Sequence, residues 1–98
     1  MELYMVRFEL PEILGSDIAS KIPEHRDRVN TLISEGKILS YAVAKDRRQG
    51  WITLVADTPS ELSSLLKSLP LAPFLTFEKH ALMVFDARNL RFPEFTLN

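Results

Sequence analysis

The chain of 98 residues predicts a ferredoxin-like α+β fold, with four strands in one antiparallel sheet and two helices on one face. Three observations carry that expectation. Residues 2–10 alternate in side-chain character as a strand does. Residues 46–50 form a polar turn between two β-rich runs. Residues 58–74 read as a capped amphipathic helix that leaves through a proline-spaced Leu-Pro-Leu-Ala-Pro-Phe exit. The resulting order is strand, helix, strand, strand, helix, strand.

In the first strand, Tyr4, Val6, Phe8 and Leu10 fall on one face and Leu3, Met5, Arg7 and Glu9 on the other. Residues 11–17 are a connection that contains Pro11 and Gly15. Ile18, Ile22, Val29, Leu32 and Ile33 then form a helical stripe that runs to about residue 35. Pro23 interrupts it, which predicts either a kink or a short first turn followed by a helix starting near Pro23. Gly36 stands where a helix ends. Residues 38–45 are the second strand, residues 46–50 a hairpin turn with Gly50 as its terminal glycine, and residues 51–56 the third strand.

Thr58 suits an N-cap, Pro59 the first helical position, and Glu61 the reciprocal position of a capping box. Leu62, Leu65, Leu66 and Leu69 define one apolar face; Pro70 ends the helix and Pro73 stiffens the exit into the next strand. Residues 76–85 are the fourth strand, with Thr76, Glu78, His80, Leu82 and Val84 on one face. Residues 1–85 thus form one domain and residues 86–98 a tail. Leu90, Phe92, Phe95 and Leu97 make that tail too apolar for a disordered end, so it is expected to dock on its own domain or a neighbouring subunit.

A domain of this length buries roughly 60–65% of its unfolded surface, a thin margin for a monomer. The strands carry apolar residues on both faces, and helices on one side leave the other bare. A second subunit is the simplest cover, so a homodimer or a larger assembly of dimers is expected. The net charge of −1 gives no support for a nucleic-acid partner. No apolar run approaches the roughly 18 residues of a membrane span, and the opening MELYMVRFELPE is too polar for a signal peptide. A cytoplasmic location is the default expectation. With no cysteine in the chain, disulfides, thiolate metal sites and cysteine nucleophiles are excluded.

His25 is the first candidate for chemistry. It shares a helix face with Val29 and Leu32, and an imidazole is the natural proton shuttle at neutral pH. The bland alternative is an exposed helix histidine beside Glu24 and Asp27. Glu78 and His80 point to the same side of a strand, where the carboxylate can hold the imidazole's tautomer. Their alternative is a polar patch at an edge or interface. Arg7 can bind a carboxylate through its planar fork, or it can pair with Glu9 or across a dimer. Tyr41 and Trp51 can wall an aromatic pocket or fill core. The two histidines and scattered carboxylates form no metal spacing, and no phosphate loop or nucleophile elbow is present, so neither metal nor cofactor is expected.

Two stretches resemble the muconolactone isomerase family. YMVRFEL at residues 4–10 is similar to the family's opening strand, of the type FLVRMDV. SELSSLLKSLPLAPFL at residues 60–75 is similar to its DELHTLLSGLPLFPYM. Residues 36–82 align with the family without a gap, and the likeness covers about 80 residues in all. The resemblance implies a dimeric α+β barrel, a pocket between sheet and helices, and a small-molecule ligand. It also implies a cofactor-independent shift of a double bond in an unsaturated lactone. Two places depart from it. The family's His-Leu-Trp-Arg run on the second strand is here Ser40, Tyr41, Ala42 and Val43, and a glutamate of its first helix is here His25.

The isomerase reading gives His25, Glu78 and His80 catalytic roles and Arg7, Tyr41 and Trp51 substrate-binding roles. The substrate would be a small anionic unsaturated or lactone-type compound. One alternative is a non-catalytic ligand-binding or oligomeric barrel. Another is a cofactorless monooxygenase in which Trp51 and Tyr41 frame an aromatic substrate.

Overall fold

The computed structural model describes residues 1–88, 90 and 91. Strand β1 spans Glu2–Glu9, helix α1 Ser16–Ala19, helix α2 Ile22–Ser34, strand β2 Ile38–Val43 and strand β3 Gln49–Ala56. Helix α3 spans Pro59–Lys67, a 3-10 turn Ala72–Phe74, strand β4 Thr76–Ala81, and the short strands β5 and β6 Asp86–Ala87 and Leu90–Arg91. Four antiparallel strands form one sheet in the order β2-β3-β1-β4. This small α+β arrangement is compatible with a ferredoxin-like fold. No helix among the described residues is long and apolar enough to cross a membrane.

Of the two outcomes expected at Pro23, the short first turn followed by a separate helix is the one found, which makes three helices rather than two. Ser20 and Lys21 separate α1 from α2, and Pro23 lies in the first turn of α2. A proline there forfeits no helical hydrogen bond, because the first amides of a helix have no partner within it. At the other end of α2, Gly36 takes φ +76°, and its N–H donates to Ile33 O at 3.0 Å. Helix α3 begins as its residues dictate: the amide of Glu61 donates to Thr58 Oγ1 at 3.1 Å. The Glu61 carboxylate accepts from the Asp57 amide at 3.3 Å rather than from the Thr58 amide. The box therefore closes one residue further back than expected.

One face of the sheet carries Tyr4, Val6, Phe8, Ile52, Leu54 and Ala56. It packs with Val29 and Leu32 of α2 and with Leu62, Leu65, Leu66 and Leu69 in a single buried cluster. Each such leucine contributes roughly 1.5–3 kcal/mol relative to its exposed state. Ile22 and Ile33, expected in the helical stripe, are 39% and 44% exposed, because the buried face of α2 runs through His25, Val29 and Leu32 instead.

Strand β2 contains a bulge. Ile38 pairs with Leu54, but Ser40 pairs with Thr53, leaving Leu39 as an extra residue. The bulge brings Ile38 and Tyr41, three apart, to the same helix-facing side. Gly50 is not the turn glycine; it lies in β3, opposite Phe8 and Val43. A Cβ there would strike the Phe8 ring and approach Ala42 O to 2.6 Å. The left-handed turn residue is Arg47, at φ 63°. The fourth strand ends at Ala81, so Leu82 and Val84 are not on its face; the Leu82 amide instead donates to Leu3 O at 2.8 Å. The expected docking of Phe92, Phe95 and Leu97 lies outside the described residues.

Candidate functional site

Strand alternation divides the five candidate residues that lie on strands between the two faces of the sheet, and His25 comes from α2 above one of them. Tyr41 pairs with Ile52, on the helix-covered side. Trp51 pairs with Arg7 and Ala42, and Arg7 also pairs with Glu78, on the opposite side. Met5 pairs with His80 on that same side. His25 and Tyr41 therefore meet beneath the helices, while Arg7, Trp51, Glu78 and His80 occupy the open face. Tyr41 and Trp51 do not frame one pocket, and Arg7 does not reach a ligand held by His25.

The helix-side group lines a cavity of about 280 Å³, near the small end of ligand pockets. Phe8, Leu10, Leu14, Ile22, Val43, Leu71 and Leu75 make most of its wall apolar. Its polar side chains are His25, Tyr41, Arg26 and Arg47. Phe8 and Tyr41 stack with ring centroids 5.8 Å apart, which fixes the phenol against the sheet. Arg26 was not singled out from sequence, and Arg47 read only as one of two turn arginines too few for a nucleic-acid site; their signal was a position beside His25 on the helix and in the turn after β2.

His25 is 2% exposed, yet both ring nitrogens have partners. The backbone N–H of Leu71 donates to Nδ1 at 3.3 Å. Nδ1 therefore carries no proton, and in the neutral ring the proton resides on Nε2. Nε2–H donates to Tyr41 Oη at 2.9 Å. With that oxygen accepting from the imidazole, the Tyr41 O–H is left to donate elsewhere. The Leu71 amide is available because Pro70 interrupts the chain just after α3, where a continuing helix would have used it. The Leu-Pro-Leu-Ala-Pro-Phe exit thus supplies the group that sets the histidine's tautomer. Burial and the nearby Arg26 charge lower the His25 pKa from its ordinary value, favouring the neutral ring. Burial raises the Tyr41 pKa, keeping the phenol protonated.

The open-face group is a chain of exposed ion pairs. Arg7 meets Glu9 at 3.0 Å and Glu78 at 3.5 Å, and Gln49 Oε1 accepts from Arg7 at 3.4 Å. Glu78 also contacts His80 Nε2 at 2.8 Å. The His80 and Arg7 partners hold the Glu78 carboxyl below its ordinary pKa. Arg7 is thus occupied by carboxylates of its own chain. Trp51 stands beside this chain, 37% exposed. Among the described residues, no group of three or more His, Asp or Glu side chains is placed to hold a metal ion.

No family model matches the chain, and a search of curated proteins finds no significant match.

Proposed function

We propose that this chain is a muconolactone isomerase-like, cofactor-independent protein that takes a small anionic unsaturated or lactone-type compound into the cavity beneath Tyr41. The observation that supports this most is the character of the lining. An apolar wall surrounds the Tyr41 phenol and two arginines, and among the described residues no carboxylate lines it. Such a cavity favours a compact apolar body bearing an oxyanion and a carbonyl oxygen. In an isomerisation, a solvent water entering the cavity would take the proton from carbon and return it to the far carbon, while the phenol stabilises the enolate oxygen that forms between the two transfers.

A but-2-enolide carrying a carboxymethyl group tests the reading. Binding with incorporation of deuterium from D₂O supports the isomerase. Binding without exchange supports the second reading, a ligand-binding module, which the full engagement of both His25 nitrogens favours. A chain that binds no such compound overturns both.

The same proposal includes a homodimer, a dimeric α+β barrel closed by the sheet face that carries Trp51. Support comes from the partly exposed tryptophan and from the packing of the helices, among the described residues, against the other side of the sheet.

A further inference from the structure

We infer that His25 is a positioning residue rather than the proton shuttle, and that the group offered to the ligand is the Tyr41 O–H, aimed at a carbonyl oxygen. This rests on the ligand class proposed above and assigns roles within that site. A histidine that moves protons needs a free lone pair facing the reacting atom. The Nδ1 lone pair of His25 faces the Leu71 amide, and Nε2 faces Tyr41. Neither nitrogen has a lone pair for a ligand. The imidazole works as a rigid bracket: a backbone amide on one side fixes its tautomer, and its remaining N–H fixes the phenol on the other.

The phenol oxygen accepts the imidazole proton, stacks against Phe8 and lines the cavity. Its own hydrogen is then a fixed donor in an apolar surrounding, where a ligand carbonyl gains most from a hydrogen bond. Arg26 and Arg47 supply the charge for an anionic end. Arg26 is also the charged side chain that acts on both His25 and Tyr41, and it opposes a second positive charge on the imidazole. The selectivity of the site therefore belongs to Tyr41, and His25 acts through it.

Nitrogen-15 NMR of the whole chain tests the tautomer without any ligand. A His80→Asn variant leaves His25 as the single histidine, since the chain has two. The expected spectrum shows protonated Nε2 and unprotonated Nδ1 from neutral pH down to below the ordinary histidine range. A Nδ1–H tautomer, or an imidazolium appearing at or above that range, would overturn the inference.

The second arm compares the carboxymethyl butenolide with cyclopent-2-ene-1-acetate, which keeps the carboxylate and lacks the carbonyl. Tyr41→Phe should weaken the butenolide about tenfold and leave the cyclopentene acid unchanged. His25→Gln keeps an N–H for Tyr41 and should retain the discrimination within about threefold; His25→Leu should lose it. Retained discrimination in Tyr41→Phe sinks the role of the phenol. If neither acid binds, the proposed ligand class fails, and the NMR spectrum still decides the role of His25.

Discussion

Replacing His25 by leucine strands the Leu71 amide and removes the donor to Tyr41. An unmet buried polar group costs about 1–3 kcal/mol, so denaturant unfolding should show a loss of at least that size. The same ring gives the chain a pH dependence with a definite sign. Its pKa is lowered on folding from 6.5, so below that value the unfolded chain takes up a proton that the folded chain refuses. The stabilisation is complete above about pH 6.5 and is lost as pH falls through the lowered folded value. Urea unfolding at about pH 7.5 and about pH 5.5 should show the drop, and His25→Gln should flatten it. That His25 faces the core beside Val29 and Leu32 was legible from its spacing. Its bond to the Leu71 amide was not, because a backbone group leaves no mark on the sequence. The pairing of Arg7 with Glu9 was foreseen as one of three outcomes; its second partner, Glu78, needed the β1–β4 register.

Helices were the more readable elements, since caps and prolines act locally. Thr58, Pro59 and the leucine face place α3 correctly, and Thr58→Ala should cost about 1 kcal/mol in thermal or denaturant unfolding. The strands were harder to read because their facing depends on register. In β2 a strict two-residue period would set Ile38 and Tyr41 on opposite sides; the extra residue Leu39 puts both toward the helices. Deleting Leu39 should therefore leave the facing of Tyr41 intact and ligand binding measurable. Deleting Ala42 should turn Val43 to the other face and abolish binding. Gly50 was misread as a turn residue for a similar reason: the demand on it comes from Phe8 across the sheet, not from its neighbours in sequence. Gly50→Ala should destabilise by about 1–3 kcal/mol, visible as a lowered unfolding midpoint.

At the scale of the molecule, the proposed dimer predicts that Trp51→Lys shifts sedimentation from dimer to monomer while circular dichroism stays unchanged. An unchanged sedimentation profile would remove that face from the assembly. The bond from Leu71 to His25 has a further consequence, which concerns the order of assembly. It joins residues 46 positions apart, and β1, the first strand made, lies between β3 and β4 at the middle of the sheet. The β2–β3 hairpin closes a short loop and can pair early. The cavity is walled by residues from β1, α2, β2 and the segment after α3, so it exists only when these distant parts of the chain have come together. A compound that recognises it meets only the completed chain and must raise the unfolding midpoint by mass action. Amide hydrogen exchange at Leu71 then becomes a reporter of completion: it should be slow only once the whole sheet is closed, and slower still with ligand present.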